Sequence, residues 1–397
     1  MDRILDRDHR LIQAVFYILI AVVFGFGTFI MLERGYSSFE IGVFVAIADI
    51  SGLLLNYIIA GILDNSEKID VFRMIKIITI GMLTAAVMNY FLKEPCLLLS
   101  IVYIVIYCLT CCLEPLFNSL SSTISHCGIN LDFGRARACG SLSYALTSVL
   151  FGYISEKFSY QGINISLLLS QLCVVLSVYL MAAHFYRSTA SAKQKDTSAS
   201  VSMKEYLLRH RNFILLVIGY AGIMVSTRIV TENFLPQVIY EAGGSNFDLG
   251  LLPGLKAIVE VPFIFYFAKL ESKFGLKKIF IIAMISFILK MYVFYSADTM
   301  LWLYLSQLLQ ATSFSLIVPG MVFYVSRKMH KNELQRSHSL MQIIMTSFSL
   351  FISPLSGSLV ENYGSKTLCL VCLIICFISA IVFMSSFLRE DGKADQI

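Results

Sequence analysis

Apolar runs long enough to cross a bilayer alternate with short polar connections along the whole chain. A membrane-spanning helix needs about 20 predominantly apolar residues. Twelve segments meet that requirement: 11–33, 39–62, 72–92, 97–122, 137–155, 162–185, 212–236, 248–270, 279–297, 300–325, 337–360 and 366–388. They are called spans 1 to 12. The first does not read as a cleavable signal. Asp2, Arg3, Asp6, Arg7, Asp8 and Arg10 mix both signs before it, and no small-residue cleavage site follows. The longest connection, 186–211, is polar and rich in Ser, Ala and Lys, which predicts a flexible linker. The expected organisation is a six-helix bundle at 1–185, the linker, and a second six-helix bundle at 212–397.

The charges then give an orientation. With the N-terminus inside, 24 of the 31 Lys and Arg residues fall on inner connections or helix ends. Only Arg34, Lys93, Lys157 and Lys366 fall outside, while Arg228, Lys256 and Lys290 lie within spans. Such a bias predicts a multi-pass protein of a cell (inner) membrane with both termini cytoplasmic. Composition agrees: hydrophobic residues make up 57% and charged residues 14%, against roughly 25% charged in soluble domains. That excludes a soluble enzyme and a disordered scaffold. The net charge of +5 is scattered between spans, with no patch for nucleic acid. The ten cysteines lie mostly in or beside spans and read as small packing residues, not metal ligands, so no metal and no cofactor is expected. Most of the six histidines read as loop residues, and none falls mid-span. Asn164-Ile165-Ser166 is a glycosylation sequon to which no weight is given.

Polar residues within the spans carry the functional information. A charge at the bilayer centre costs about 2.5–3.5 kcal/mol on insertion scales, so it faces the interior, pairs, or lines water. Helical spacing sorts these residues into stripes. Span 2 carries Asp49 and Asn56, seven apart. Span 4 carries Glu114 and Asn118, with Pro115 between them to bend the helix and admit water. Span 5 carries Arg137, Ser141 and Tyr144. Span 7 carries Arg228 and Glu232, and span 8 repeats the arrangement with Lys256 and Glu260. In both pairs the base precedes the acid, the less favourable order within one helix, so pairing between spans is equally open. Lys290 lies near the middle of span 9. Gln307 and Gln310 lie on span 10, and Gln342, Thr346 and Ser349 on span 11. Stripes on so many helices predict a hydrated central cavity. Asp49, Glu114 and Glu260 are the candidate proton carriers, because burial raises a carboxyl pKa toward neutrality unless a cation cancels it. Arg228 and Glu232 are candidate charge partners, with a structural ion pair the equal alternative.

The start of span 5 reads Phe133-Gly134-Arg135-Ala136-Arg137-Ala138-Cys139-Gly140-Ser141-Leu142-Ser143-Tyr144-Ala145. This resembles the corresponding segment of the lactose-permease-like oligosaccharide:proton symporters of the major facilitator superfamily. Ile41–Asp64 and Gly254–Gly275 resemble that branch more weakly. The resemblance implies two six-helix halves that rock around a midplane site. It also implies that Arg137 binds sugar hydroxyls through its guanidinium fork, which Lys cannot reproduce. Tyr144 stands where the family has a stacking Trp, and Ser141 lines the same wall. Asn118 stands near the acidic partner of that arginine, and Glu114, one turn away, is the candidate replacement. Asp64 matches an acidic residue of the gating loop after span 2. Lys290 matches a family arginine. Gln310 and Ser313 stand where the family has its histidine and its proton-carrying glutamate. Ala257 stands where it has a sugar-binding glutamate, with Glu260 one turn on, and Arg228 replaces an acidic residue. The lactose-type proton site is therefore absent.

The expected fold is an all-α membrane protein of twelve transmembrane helices in two pseudo-symmetric six-helix bundles. The expected function is proton-coupled uptake of a small polar solute, with a saccharide or glycoside favoured and an anionic sugar acid a variant. The substrate-binding candidates are Asp49, Asn56, Asn118, Arg137, Ser141, Tyr144, Lys256, Lys290, Gln307, Gln310 and Gln342. Expected partners are the solute, protons (with sodium left open) and membrane lipid, for a monomer. Two rivals stand beside this reading: a proton-driven exporter of amphiphilic drugs, and a solute sensor or lipid scramblase on the same fold. An enzyme is disfavoured, since no metal cluster or nucleophile–His pair falls within the spans.

Overall fold

The computed structural model describes residues 2–65, 69–125, 129, 131–188, 210–329 and 333–394. Those residues form helices and connections, with no strand among them. Most of the linker lies outside the described residues. In chain order the helices are α1 (Asp2–Ile20), α2 (Gly27–Glu33), α3 (Ser38–Asn65), α4 (Val71–Phe91), α5 (Leu97–Ser125) and α6 (Phe133–Ser188). Then come α7 (Arg211–Arg228), α8 (Leu235–Glu241), α9 (Asp248–Phe265), α10 (Phe267–Ser296), α11 (Met300–Leu308), α12 (Phe314–Lys328) and α13 (Leu334–Ala394). Among the described residues, nine helical stretches are long and apolar enough to cross a membrane.

Local chemistry explains many of the boundaries. At the start of α3, Ser37 Oγ accepts from the Glu40 amide while Glu40 returns a bond to the Ser37 amide, a reciprocal cap. Asp70 caps α4 by accepting from the Arg73 amide at 2.9 Å, and Asp132 caps α6 through Arg135 in the same way. Before α9, Asp248 Oδ2 accepts from the Ser245 amide at 2.7 Å.

Three breaks and two bulges interrupt the helices, and only the bulges are invisible in the apolar pattern. The long helices α6, α10 and α13 each contain a single non-helical residue: Ser159 (φ 52°, ψ −157°), Gly275 (φ 75°, ψ 155°) and Gly364 (φ 80°, ψ 170°). One residue of positive φ lets a chain leave one helix and begin the next with no loop. The breaks at Ser159, Gly275 and Gly364 lie within the connections expected between spans 5 and 6, 8 and 9, and 11 and 12. The bulges fall on α1 and α7. Each passes into a five-residue π turn, Ala21–Gly25 and Ile229–Asn233, then through Phe26 or Phe234 at φ near −118° into a seven-residue helix. The same sequence of elements in the two parts of the chain is an internal structural repeat.

The helices divide into two compact units, Met1–Lys195 with Gly244–Ile258, and Asp196–Gly243 with Val259–Ile397. In the first, α1 and α4 pack on α6, and α3 and α4 on α5. In the second, α7 and α10 pack on α13, and α10 on α12.

The segment Gly244–Ile258 joins the first unit through small residues. A Cβ at Gly250 would overlap the Ser148 carbonyl oxygen, one at Gly152 would overlap the Phe247 carbonyl oxygen, and one at Gly254 would lie 2.8 Å from Val149 Cγ2. Ser155 Oγ also donates to the Asn246 carbonyl at 3.1 Å.

Polar clasps fasten the connections. In the first unit, Arg34 donates to the side-chain and backbone carbonyls of Asn89 at 2.7 and 2.8 Å. Burial pushes the Arg34 guanidinium down from its usual value, with Tyr160 and Tyr36 opposing the shift. Asn89 in turn donates to Asn164 Oδ1. Asn164 is thus a buried helix residue engaged in packing, so its sequon is a coincidence of sequence. In the second unit, Glu241 accepts from the Ser365 amide immediately after the Gly364 break, and Lys366 pairs with Asp298.

Candidate functional site

In the first unit the predicted polar residues lie on α3, α5, α6 and α9. Asp49 is buried, although it stands mid-helix on an apolar element. Asn56, two turns on, donates to the Cys111 carbonyl of α5 at 3.4 Å. Cys112 donates to the Gly52 carbonyl, so α3 and α5 are joined by weak polar contacts around a glycine. Glu114, Asn118, Ser141, Tyr144 and Lys256 are half-buried. Pro115 sits within α5, as expected for a bend beside Glu114. The side chain of Asp64 lies outside the described residues.

Arg137 is half-buried, and its guanidinium carbon stands 4.3 Å from the centre of the Tyr17 ring on α1. That separation is a close cation–π contact. Sequence reasoning missed Tyr17. It is one aromatic among many in span 1, and nothing in its own surroundings marks it.

In the second unit the residues form a continuous chain. Lys290 is fully buried and donates to Gln310 Oε1 at 2.5 Å. Gln310 is also buried and donates from Nε2 to Glu260 Oε1 at 2.6 Å. The amide therefore stands between an ammonium and a carboxyl, its oxygen toward the cation and its nitrogen toward the acid. Both bonds involve an ionisable partner and are the stronger kind. Ser315 Oγ donates to the Gln310 backbone carbonyl at 3.0 Å, and Ser286 Oγ donates to Thr312 Oγ1 at 2.8 Å. Ser313 is buried between these groups in sequence, beside the 3-10 turn Leu309–Ala311 that interrupts span 10.

The other second-unit candidates lie on α7, its π turn, α11 and α13. Gln307 is buried but turns back on its own helix, donating to the Leu303 carbonyl and Ser306 Oγ. Gln342 is exposed. Arg228 closes α7, and Glu232 lies inside the π turn that follows. The straight i, i+4 spacing assumed for that pair is therefore altered, because a π turn shifts the register of side chains around the helix.

Three histidines also depart from expectation. His9, His184 and His338 lie in helices. His184 Nδ1 stands 2.5 Å from Asp8 Oδ2, and Asp8 is almost fully buried. The charged start of span 1 concealed this pair, because mixed charges near a terminus read as a solvated segment. No group of three metal-ligating side chains occurs among the described residues.

The sequence profile of the MFS_1 like family matches residues 12–371. The chain is 22% identical to maltose permease of Geobacillus stearothermophilus over 267 residues, which is 67% of this chain and 66% of that protein. The match thus spans just under two thirds of the relative's own length. Among solved structures, the chain is similar to a mutant form of the nucleoside transporter NupG, with 13% identity and a TM-score of 0.77 over 96% of this chain and 100% of that one. It is also similar to a bacterial homologue of the iron transporter ferroportin in an inward-facing state, with 15% identity and a TM-score of 0.68 over 96% and 98% of the two chains. At such identities the solved structures establish the fold alone, an all-helical transporter fold.

Proposed function

Because the chain belongs to the MFS_1 like family, transporters of the major facilitator type, we propose that it takes up a small polar solute by alternating access, driven by protons. A saccharide or glycoside is the favoured solute. The observation that carries this reading is the chain Lys290–Gln310–Glu260, a buried ammonium linked to a carboxyl through one amide. Side chains of this kind within membrane segments belong to solute or ion pathways. Glu260 is the first choice for proton carriage, since its protonation changes the charge that Lys290 meets across Gln310. Asp49 and Glu114 are the alternatives in the first unit. The sugar assignment rests on the resemblance at 133–145 and on the similarity to a maltose permease. Arg137 then supplies the bidentate fork for solute hydroxyls.

This reading carries twelve spans, a linker at 186–211 and both termini on the cytoplasmic side of a cell membrane. Proteoliposomes with an imposed pH gradient provide the test. Wild-type protein accumulates radiolabelled maltose or a related glycoside when the outside is acid. Glu260→Gln keeps exchange of solute across the membrane and loses accumulation. Arg137→Lys loses binding in calorimetry while the protein still folds. Accumulation undiminished in Glu260→Gln, Asp49→Asn and Glu114→Gln alike removes proton coupling through these carboxyls. Net efflux of amphiphilic cations in place of sugar uptake favours the exporter.

A further inference from the structure

We propose that Tyr17 is the residue that positions the Arg137 guanidinium, extending the solute site to α1. The proposal rests on the reading of Arg137 as a solute-binding group. Three observations carry it. First, the guanidinium carbon is 4.3 Å from the centre of the Tyr17 ring, well inside the ~6 Å reach of a cation–π contact. A planar guanidinium against a ring keeps its N–H groups directed outward in one plane, which is the arrangement a bidentate fork requires.

Second, the ring is gripped by the helix that carries the arginine. Gly140 lies three residues after Arg137, on the same face of α6. A Cβ at Gly140 would lie 2.6 Å from Tyr17 Cδ2 and 3.1 Å from both Cε2 and Cγ. Any side chain there displaces the ring. Arg137 and Gly140 therefore form a clamp: the cation meets one part of the ring and the missing side chain makes room for another. Phe16 adds an edge contact, its ring 6.0 Å from Tyr17 and 4.8 Å from Phe117 of α5.

Third, the Tyr17 side chain is more than nine-tenths buried, and its hydroxyl has no hydrogen-bond partner. Burying an unsatisfied hydroxyl is unfavourable, and Phe would fill the same space without that penalty. A tyrosine here is explained by a polar group that reaches the hydroxyl when the site is filled. Packing explains the ring, and a polar group entering the site, solute or water, explains the oxygen.

The test reads the guanidinium directly, so it does not depend on knowing the solute. The full-length protein in nanodiscs is treated with phenylglyoxal, which attacks accessible guanidinium groups, and labelling at Arg137 is quantified by mass spectrometry. Arg135, two residues away with its side chain 76% exposed, is the internal standard. Tyr17→Phe keeps the ring and keeps the wild-type ratio of Arg137 to Arg135 labelling. Tyr17→Leu raises that ratio by about fivefold or more, the scale expected when a cation–π contact is lost. Gly140→Ala raises it too, although neither Tyr17 nor Arg137 has changed, and this arm stands if Tyr17→Leu fails to fold. A ratio unchanged in both Tyr17→Leu and Gly140→Ala overturns the proposal, as does a rise in Tyr17→Phe equal to that in Tyr17→Leu. Maltose added to the wild type separates the two readings. Lack of protection at Arg137 counts against the sugar assignment, while the ratios among variants still decide the role of Tyr17.

Discussion

Replacing Gln310 by Leu isolates the amide that joins Lys290 to Glu260. The substitution keeps much of the side-chain volume and removes both polar ends. Lys290 loses its Gln310 acceptor at 2.5 Å, and Glu260 loses its Gln310 donor at 2.6 Å. Hydrogen bonds to charged groups contribute about 1.5–3 kcal/mol each. Lys290 is fully buried, whereas Glu260 is only half-buried. The cost is therefore weighted toward the lysine end, and the whole substitution should destabilise by roughly 2–4 kcal/mol.

The argument has a second half that is harder to satisfy by accident. Removing one partner of a buried polar pair is worse than removing both. Lys290→Met in the Gln310→Leu background should therefore recover about 1 kcal/mol or more. Neighbouring substitutions that share one network are expected to be non-additive by this amount. The assay is reversible unfolding of purified protein in mixed micelles for the wild type, the two single variants and the double variant. Two results refute the reasoning: Gln310→Leu within 0.5 kcal/mol of wild type, on the order of an ordinary surface change, or a double variant whose loss equals the sum of the single losses.

Three further substitutions test the architecture. Ser159 occupies a backbone region that only glycine enters freely, so Ser159→Gly should stabilise by about 1 kcal/mol despite losing the exposed bond to Glu33, and a lowered melting temperature contradicts this. Gly250→Ala places a methyl group on the Ser148 carbonyl, and it should cost several times the ~1 kcal/mol typical of a point substitution, read as loss of monodisperse protein in size-exclusion chromatography. Arg34→Met removes two bonds to Asn89 and should destabilise by about 3 kcal/mol in thermal unfolding, with Asn89→Leu in the same background recovering part of the loss.

What the sequence determined by itself was the solvent and the inventory. Long apolar runs can only be satisfied as helices in lipid, because every backbone group must bond within its own segment. The rarity of charge inside such helices singled out Lys290, Glu260, Arg137 and Asp49 before any coordinate was known. Helix faces follow from periodicity, which is a one-dimensional property of the chain.

The tertiary structure decided which of these residues meet. Lys290, Gln310 and Glu260 lie on three helices, and spacing along one helix carries no information about contacts between helices. Spacing left Lys256 and other spans open as partners of Glu260, and packing brings it the Gln310 amide of the turn Leu309–Ala311. The π turns on α1 and α7 also escaped prediction, because an extra residue in a helical turn leaves the hydropathy unchanged while rotating everything after it. Tyr17 became visible only through the notch at Gly140, since the absence of a side chain has meaning only against the neighbour that fills the space.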